Sequence, residues 1–356
     1  MSKTEIETMI AKVEAATGSI RDRVRRLTGV AEVIAAKGYK VEAYQLCRKA
    51  LAIDEGNSEA LVLVRRVNAR LTPSYHISMM NDTRRNLAWD KALANAVRPG
   101  MRAFEIGTGA GLLTLAAARA GAHIYTCEDD PVIAAVAREI VARNDLTSRV
   151  TILEKRSQQV DPDVDLGGPA DLLFCDIFSN SLLGFNPLPA LVDARRRLVT
   201  TQARSVPQAG IIRVALANWQ EYARFCQIEF SIGFDVTAMA AFVPEAIPLP
   251  IDEPGLAVLS EGGDAFRFDF AARDQPATDE AIIELSASED GEINGIVQWI
   301  RLELDDETAI EPRPEAGGIS FENLLFYPLP HERSVQRGDV VSVHTSHDGR
   351  RLTIWV

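Results

Sequence analysis

The chain has 356 residues, 47% of them hydrophobic, which is enough for two or three modest cores rather than one. No stretch reaches the roughly 18 uninterrupted apolar residues of a membrane span, and the opening MSKTEIETMIAKVEAATG lacks the apolar heart of a signal peptide, so a cytoplasmic protein with no membrane partner is expected. A formal net charge of −12 repels nucleic-acid phosphate at long range, argues against a nucleic-acid partner, and favours cationic substrates.

Residues 1–72 read as all helix, because no proline precedes Pro73 and alanine, leucine and charged residues dominate. Ala43 and Ala50 are seven apart and share one helix face, where small side chains let a neighbouring helix approach. The run from Gly38-Tyr39-Lys40-Val41-Glu42-Ala43 to Lys49-Ala50-Leu51-Ala52-Ile53-Asp54 resembles a tetratricopeptide repeat, with Glu55 where that repeat has proline. One repeat cannot bury its own face. Two readings stay open: a helical hairpin packed on the rest of the protein or on a second subunit, and a peptide-binding module.

Residues 73–206 alternate short apolar runs with helical stretches, the pattern of a doubly wound α/β layer. Strands are expected at Arg102–Ile106, His123–Glu128, Val150–Glu154 and Ala170–Asp176, and helices at Leu112–Ala120 and Val132–Asn144. From Pro207 to residue 356 the alternating segments Gly210–Ala217, Ala265–Ala271, Val297–Leu304 and Val340–Thr345 stand between Gly, Pro, Asp and Asn clusters, which predicts an all-β, barrel-like domain. Residues 272–295 and 305–318 read as long polar loops, and Leu352–Val356 as a last strand. The cysteines Cys47, Cys127, Cys175 and Cys226 are far apart, and neither they nor the five histidines form a metal motif, so free thiols and no metal are expected.

The strongest motif is Phe104-Glu105-Ile106-Gly107-Thr108-Gly109-Ala110-Gly111-Leu112-Leu113. A strand runs into a Gly-x-Gly-x-Gly turn and a helix opens, so the glycines allow positive φ and close backbone approach while the helix start offers N–H groups. About twenty residues on, the second strand ends at Glu128, where a carboxylate can accept both hydroxyls of a ribose. A structural turn is the plainer reading of such a loop, and a nicotinamide dinucleotide is the other ligand to weigh. With the strand acid Glu105 before the loop, the pattern resembles the class I methyltransferases that use S-adenosylmethionine (SAM). That resemblance implies that Glu105 helps hold the loop and the amino group of the methionine moiety.

Further segments resemble the protein arginine methyltransferases. Met79-Met80-Asn81-Asp82-Thr83-Arg84-Arg85-Asn86 is similar to the family's Met-Leu-x-Asp-x-x-Arg, which implies that Arg85 pairs with the SAM carboxylate, as a guanidinium fork can, with adjacent Arg84 the competitor for that role. Ser157 and Gln158 fall where the family contacts adenine. The run Asp176-Ile177-Phe178-Ser179-Asn180-Ser181-Leu182-Leu183-Gly184-Phe185-Asn186-Pro187-Leu188-Pro189 resembles the family's double-glutamate loop, most closely in its monomethylating branch, and Ala203–Pro207 resembles its lead into a β-barrel. The resemblance covers about residues 74–356, with specific motifs in the SAM half.

The departures lie in the acceptor half. Arginine methylation uses two carboxylates to grip the guanidinium and aim one nitrogen at the methyl group. Here Asp176 takes the first glutamate position and Phe185 the second, and the family's Thr-His-Trp loop falls near Ser320-Phe321-Glu322 without its histidine. Glu322 is the candidate for the missing carboxylate. Met79, Met80, Phe185 and Phe321 are the candidate acceptor-side residues; an aromatic there packs against a flat or cationic acceptor or is hydrophobic filler. The resemblance implies SAM-dependent N-methylation of a guanidino or amine acceptor: protein arginine, free arginine or a related metabolite. The alternative is a weak or inactive relative that binds SAM and a partner protein. A homodimer is also implied, through an arm from the barrel that the sequence alone does not locate.

Overall fold

The N-terminal fifth folds as the helices α1 (Lys3–Glu14), α2 (Ile20–Ala35), α3 (Lys40–Ile53) and α4 (Ser58–Asn68). The computed structural model describes residues 1–54, 56–73, 75–314 and 322–356. Local chemistry sets the helix starts. Ser2 and Glu5 form a capping box, and the Ser19 and Asn57 side chains accept from the first turns of α2 and α4. Ala43 and Ala50 are fully buried, and α1–α4 enclose a core of their own that includes Ile6, Leu27, Ile34, Leu46 and Val67. This unit meets the rest of the chain through α3, where Arg48 pairs with Glu139 at 2.6 Å and Lys40 approaches Asp130 at 3.9 Å.

Next come α5 (Tyr75–Asn81), α6 (Thr83–Ala96), β1 (Arg102–Ile106), α7 (Leu112–Arg119), β2 (His123–Cys127), α8 (Pro131–Arg143), β3 (Val150–Leu153), β4 (Ala170–Cys175), α9 (Pro187–Arg197) and β5 (Val199–Val206). The five strands form one parallel sheet in the order β3-β2-β1-β4-β5. The chain order reverses between β1 and β4, which opens a crevice at the carboxyl ends of these two strands. Four of the strands stand within a residue of their expected ends. The fifth, β5, was not expected as a strand. Its Val-Thr-Thr-Gln-Ala-Arg-Ser-Val run mixes polar residues into an edge position, which lowers its apolar signal.

The barrel half is antiparallel. It comprises β6 (Ala209–Trp219), α10 (Tyr222–Cys226), β7 (Phe230–Ser231), β8 (Phe234–Asp235), β9 (Ile247–Leu249), β10 (Leu256–Val258), β11 (Gly263–Asp269), β12 (Asp279–Ser286), β13 (Gly291–Glu303), β14 (Ala309–Ile310), β15 (Leu324–Val335), β16 (Val340–His347) and β17 (Leu352–Trp355). The main sheet runs β10-β6-β13-β15-β9, with β11 on β6 and β14 on β13; β12-β16-β17 form a second sheet. Two expected loops need correction. Residues 272–295 contain β12 and the start of β13. Within β12 only Leu285 is buried, so its exposed Asp279, Glu280 and Glu284 read as loop residues. Residues 305–318 contain the short strand β14, and 315–318 lie outside the described residues.

Strands β6 and β13 are buried on both faces, one against the parallel-sheet half and one inside the barrel. At Gly210 in β6 a Cβ would stand 2.5 Å from Leu182 and 2.6 Å from Phe270, so the missing side chain is what lets the 176–186 loop pack on the barrel wall. Among the described residues no helix is long and apolar enough to cross a membrane.

Candidate active site

The crevice is built first by the turn after β1. Gly107, Gly109 and Gly111 all have positive φ (83°, 51° and 85°), and a Cβ on Gly107 would stand 2.6 Å from Ile177. The loop therefore keeps its shape only with glycine there. Its lower side is held by Thr108 and Thr126, whose hydroxyls are 2.7 Å apart, and by Glu105, which accepts from the Thr114 hydroxyl. Glu105 is fully enclosed, and burial pushes its pKa up to about 8 against the pull of the Thr114 and Thr126 hydrogen bonds. A ligand ammonium beside it would favour the carboxylate again.

Glu128 stands one residue past β2. Its two oxygens accept from the backbone N–H groups of Gly109 and Asp130, each at 3.0 Å. A carboxylate has about four lone-pair sites, so two remain for hydroxyl donors. Partial burial raises its pKa. Ser157 is buried in a single 3₁₀ turn after β3, and Gln158 beside it is exposed. Two further residues belong here that sequence reasoning missed. His76 on α5 lies over the loop, 3.8 Å from where a Cβ on Gly109 would be, and its ring is 4.4 Å from that of Tyr75. Burial raises the Tyr75 pKa, with Glu128, Asp129 and Asp130 adding to it, which places its phenol in the field of the crevice acids. The available signal was two adjacent rings just before the Met79–Asn86 segment.

The acceptor side joins four acidic and basic groups. Asp82 caps α6 by accepting from the Arg85 N–H at 3.0 Å, which turns Arg85 inward from the first turn of the helix. Arg85 is buried and ion-paired with Asp176 at the end of β4, and its guanidinium lies 5.9 Å from the Trp89 ring. Burial draws the Arg85 pKa down to about 10, while Glu322 and then Asp82 hold it up. Glu322 is itself buried just before β15, and burial pushes its pKa up to about 7 against the attraction of Arg85. Residues from α6, the end of β4 and the barrel thus converge on one guanidinium. Arg84 is exposed on the far side of the same turn and does not enter the cluster. Met79 is half-buried and Met80 exposed; their carbonyls accept from the Asn86 side chain at 3.2 and 3.0 Å and so tie α5 to α6.

The loop 176–186 is a tight fold of its own. The Ser179 hydroxyl accepts from the Gly184 N–H at 2.8 Å, and Leu182 and Asn186 take positive φ. Phe178 stacks on Phe270 at 5.0 Å and anchors the loop to the barrel. Phe185 sits at the rim, 62% exposed, with its ring 6.4 Å from Tyr75. It is therefore not core filler. Phe321 lies outside the described residues.

Comparison with known proteins agrees with this geometry. Residues 86–215 match the family model described as ribosomal protein L11 methyltransferase (PrmA). The chain is 33% identical to an arginine N(omega)-methyltransferase of Streptomyces achromogenes subsp. streptozoticus, over 69% of this chain and 68% of that protein. It is 28% identical to protein arginine N-methyltransferase 7 of Oryza sativa subsp. indica over 67% of this chain, but spans only 36% of the rice protein. Among solved structures it resembles the Trypanosoma brucei PRMT1 enzyme–prozyme heterotetrameric complex with AdoHcy, with a TM-score of 0.71 at 19% identity, over 80% of this chain and 92% of that one.

Proposed function

We infer that this chain, which belongs to the SAM-dependent arginine N-methyltransferase family, transfers a methyl group to a guanidine nitrogen of free arginine, protein arginine or a related guanidino compound. The observation that carries the acceptor class is the buried cluster in which Asp176 and Glu322 surround the Arg85 guanidinium. When Arg85 turns to the SAM carboxylate, these acids are released to hold an acceptor guanidinium in its place. The Streptomyces relative, whose name specifies arginine itself, supports a small acceptor.

The residues fit the cofactor. The glycine loop leaves room for close approach and Glu128 keeps acceptor sites that would take a ribose; Glu105 would hold the ammonium, Arg85 the carboxylate, and Ser157 and Gln158 the adenine. SAM supplies an electrophilic methyl group on a sulfonium. The chain supplies position and charge: Asp176 and Glu322 hold the acceptor guanidinium, localise its charge and leave one nitrogen lone pair aimed at the methyl carbon. The nitrogen that gains the methyl gives up its proton to one of these carboxylates or to solvent as the sulfonium–methyl bond breaks and S-adenosylhomocysteine is left, and no covalent intermediate on the protein is required. In this division of labour residues 1–72 form a docking unit, 73–206 hold the cofactor and 207–356 complete the acceptor wall. Incubation with methyl-labelled SAM, separately with free arginine and with arginine-rich protein, tests the reading. Label in the soluble fraction identifies a small acceptor, and label in the acid precipitate a protein; absence of label in both would defeat the guanidine assignment.

The pH dependence follows from Glu322. Only its anion attracts a guanidinium, and in the folded protein that anion forms around pH 7 rather than at the ordinary 4.5. Log kcat/KM should therefore rise with pH up to about 7 and then level off, and Glu322→Gln should remove that rise and leave a low, flat profile. The stability contribution runs the other way. Between about pH 4.5 and 7 the folded state retains a proton that the unfolded chain has lost, so this group's contribution weakens as pH increases.

We also read the protein as a homodimer. Residues 225–242 carry Phe225, Phe230, Ile232, Phe234, Met239 and Phe242 all exposed, with Ile232 at 92%, around the β7–β8 hairpin. A cluster of this kind marks a contact surface. Light scattering should give twice the chain mass, and Ile232→Asp with Phe234→Asp should give a folded monomer. A wild-type monomer at micromolar concentration would overturn this reading.

A further inference from the structure

The replacement of the second loop glutamate by Phe185 raises the question of what places a carboxylate opposite Asp176. Glu322 comes from the barrel, not from the loop, so its position depends on how the two halves are held together. Among the described residues, two hydrogen bonds tie the 176–186 loop to the barrel next to Glu322. The Gln298 amide, fully buried in β13, donates to the Asn180 carbonyl at 3.1 Å. The Asn180 side-chain oxygen accepts from the backbone N–H of Asn323 at 3.3 Å. Asn323 directly follows Glu322 and precedes β15, and β15 pairs with β13 so that Gln298 faces Leu325.

Asn180 thus touches two neighbouring barrel elements from within the 176–186 loop. Its carbonyl is an acceptor with no donor capacity, so the Gln298 amide must present its nitrogen there. The Gln298 oxygen is then buried with no hydrogen-bond partner among the described residues. A fully buried amide with one unmet group costs stability, so its retention in an apolar strand calls for a return other than stability.

We propose that Asn180, held by Gln298, is a positioning residue that latches the acceptor loop to the barrel and fixes Glu322 as the second carboxylate of the site. This rests on the reading of Glu322 given above. Among the described residues, the charged groups that face Glu322 include Arg85 and Asp82 from α6, with Asp176 paired to the same Arg85. Without the latch, the Asn323 backbone loses its tie to the loop, Glu322 drifts from the acceptor, and water gains access to it.

The test uses the full chain and three variants, with SAM and the acceptor found in the labelling experiment. Asn180→Ala should lower kcat by about 10- to 100-fold while leaving S-adenosylhomocysteine affinity within about threefold by calorimetry. Its pH limb should move down toward the ordinary carboxylate range, a change that a loss of global stability would not produce. Asn180→Asp keeps the accepting oxygen and should retain most of the rate, with the limb unmoved or raised by the added negative charge. Gln298→Met removes the donor with little change of volume and should reproduce the Asn180→Ala profile even where Asn180→Ala folds poorly. Wild-type kcat and an unmoved limb in Asn180→Ala, or in Gln298→Met, would overturn the latch. If Glu322→Gln is fully active, the reading of Glu322 fails first; if Glu322→Gln is inactive while Asn180→Ala and Gln298→Met behave as wild type, only the latch fails.

Discussion

Arg85→Ala should remove methyl transfer by about a thousandfold or more, and should also lower thermal stability. Two effects combine. The substitution takes away the fork expected to receive the SAM carboxylate, and it leaves Asp82, Asp176 and Glu322 buried around a cavity with no guanidinium. Removing one partner of a buried ion pair typically costs about 3–5 kcal/mol. The direction with pH is a further signature. In the variant Glu322 loses the guanidinium that opposes the effect of its burial and keeps its proton to higher pH than in the unfolded chain, so the melting temperature should recover as pH falls toward 5. Arg85→Lys restores charge but not the two-pronged geometry, and should recover stability more than rate. Scanning calorimetry at pH 5 and 7.5 with a labelled-SAM assay decides it. Transfer within tenfold of wild type in Arg85→Ala would show that this guanidinium does not organise the site.

Asp176→Asn should separate acceptor handling from cofactor binding. The substitution keeps the size of the side chain and one accepting oxygen but removes the charge that grips the acceptor. A loss of about 10²–10³ in kcat is expected, the scale seen when one preorganised electrostatic group is removed. Cofactor affinity should hold or tighten, because Arg85 loses its competing partner. Asp176→Glu, with the longer reach of the family's loop, should retain much more of the rate. Single-turnover kinetics beside calorimetry with S-adenosylhomocysteine separates the two effects. A kcat within threefold of wild type in Asp176→Asn would assign the acceptor grip elsewhere.

The cofactor half was legible because its signals are local. Glu105, the three glycines and the Leu112 helix start occupy one continuous run, and Glu128 follows at the end of the next strand. Each is required by backbone conformation or by strand geometry, and both act over a few residues. The edge strand β5 and the outer strand β12 were not legible, because strands with one polar face carry half the apolar pattern. Tyr75 and His76 escaped notice for a different reason. Their relevance comes from where α5 lies over Gly109, and nothing in a seven-residue helix states what it covers.

By itself the sequence determined that a parallel α/β layer with a SAM-type loop is followed by an antiparallel β region, since helix and strand periods and glycine conformations are written along the chain. Only the tertiary structure decided that Arg85 faces Asp176, that Glu322 arrives beside them from the barrel, that Arg84 points to solvent and that Phe185 stands at the rim. Those facts depend on the docking of two halves across β6 and β13. A burial interface of that kind is set by packing between residues remote in sequence, which no local pattern encodes.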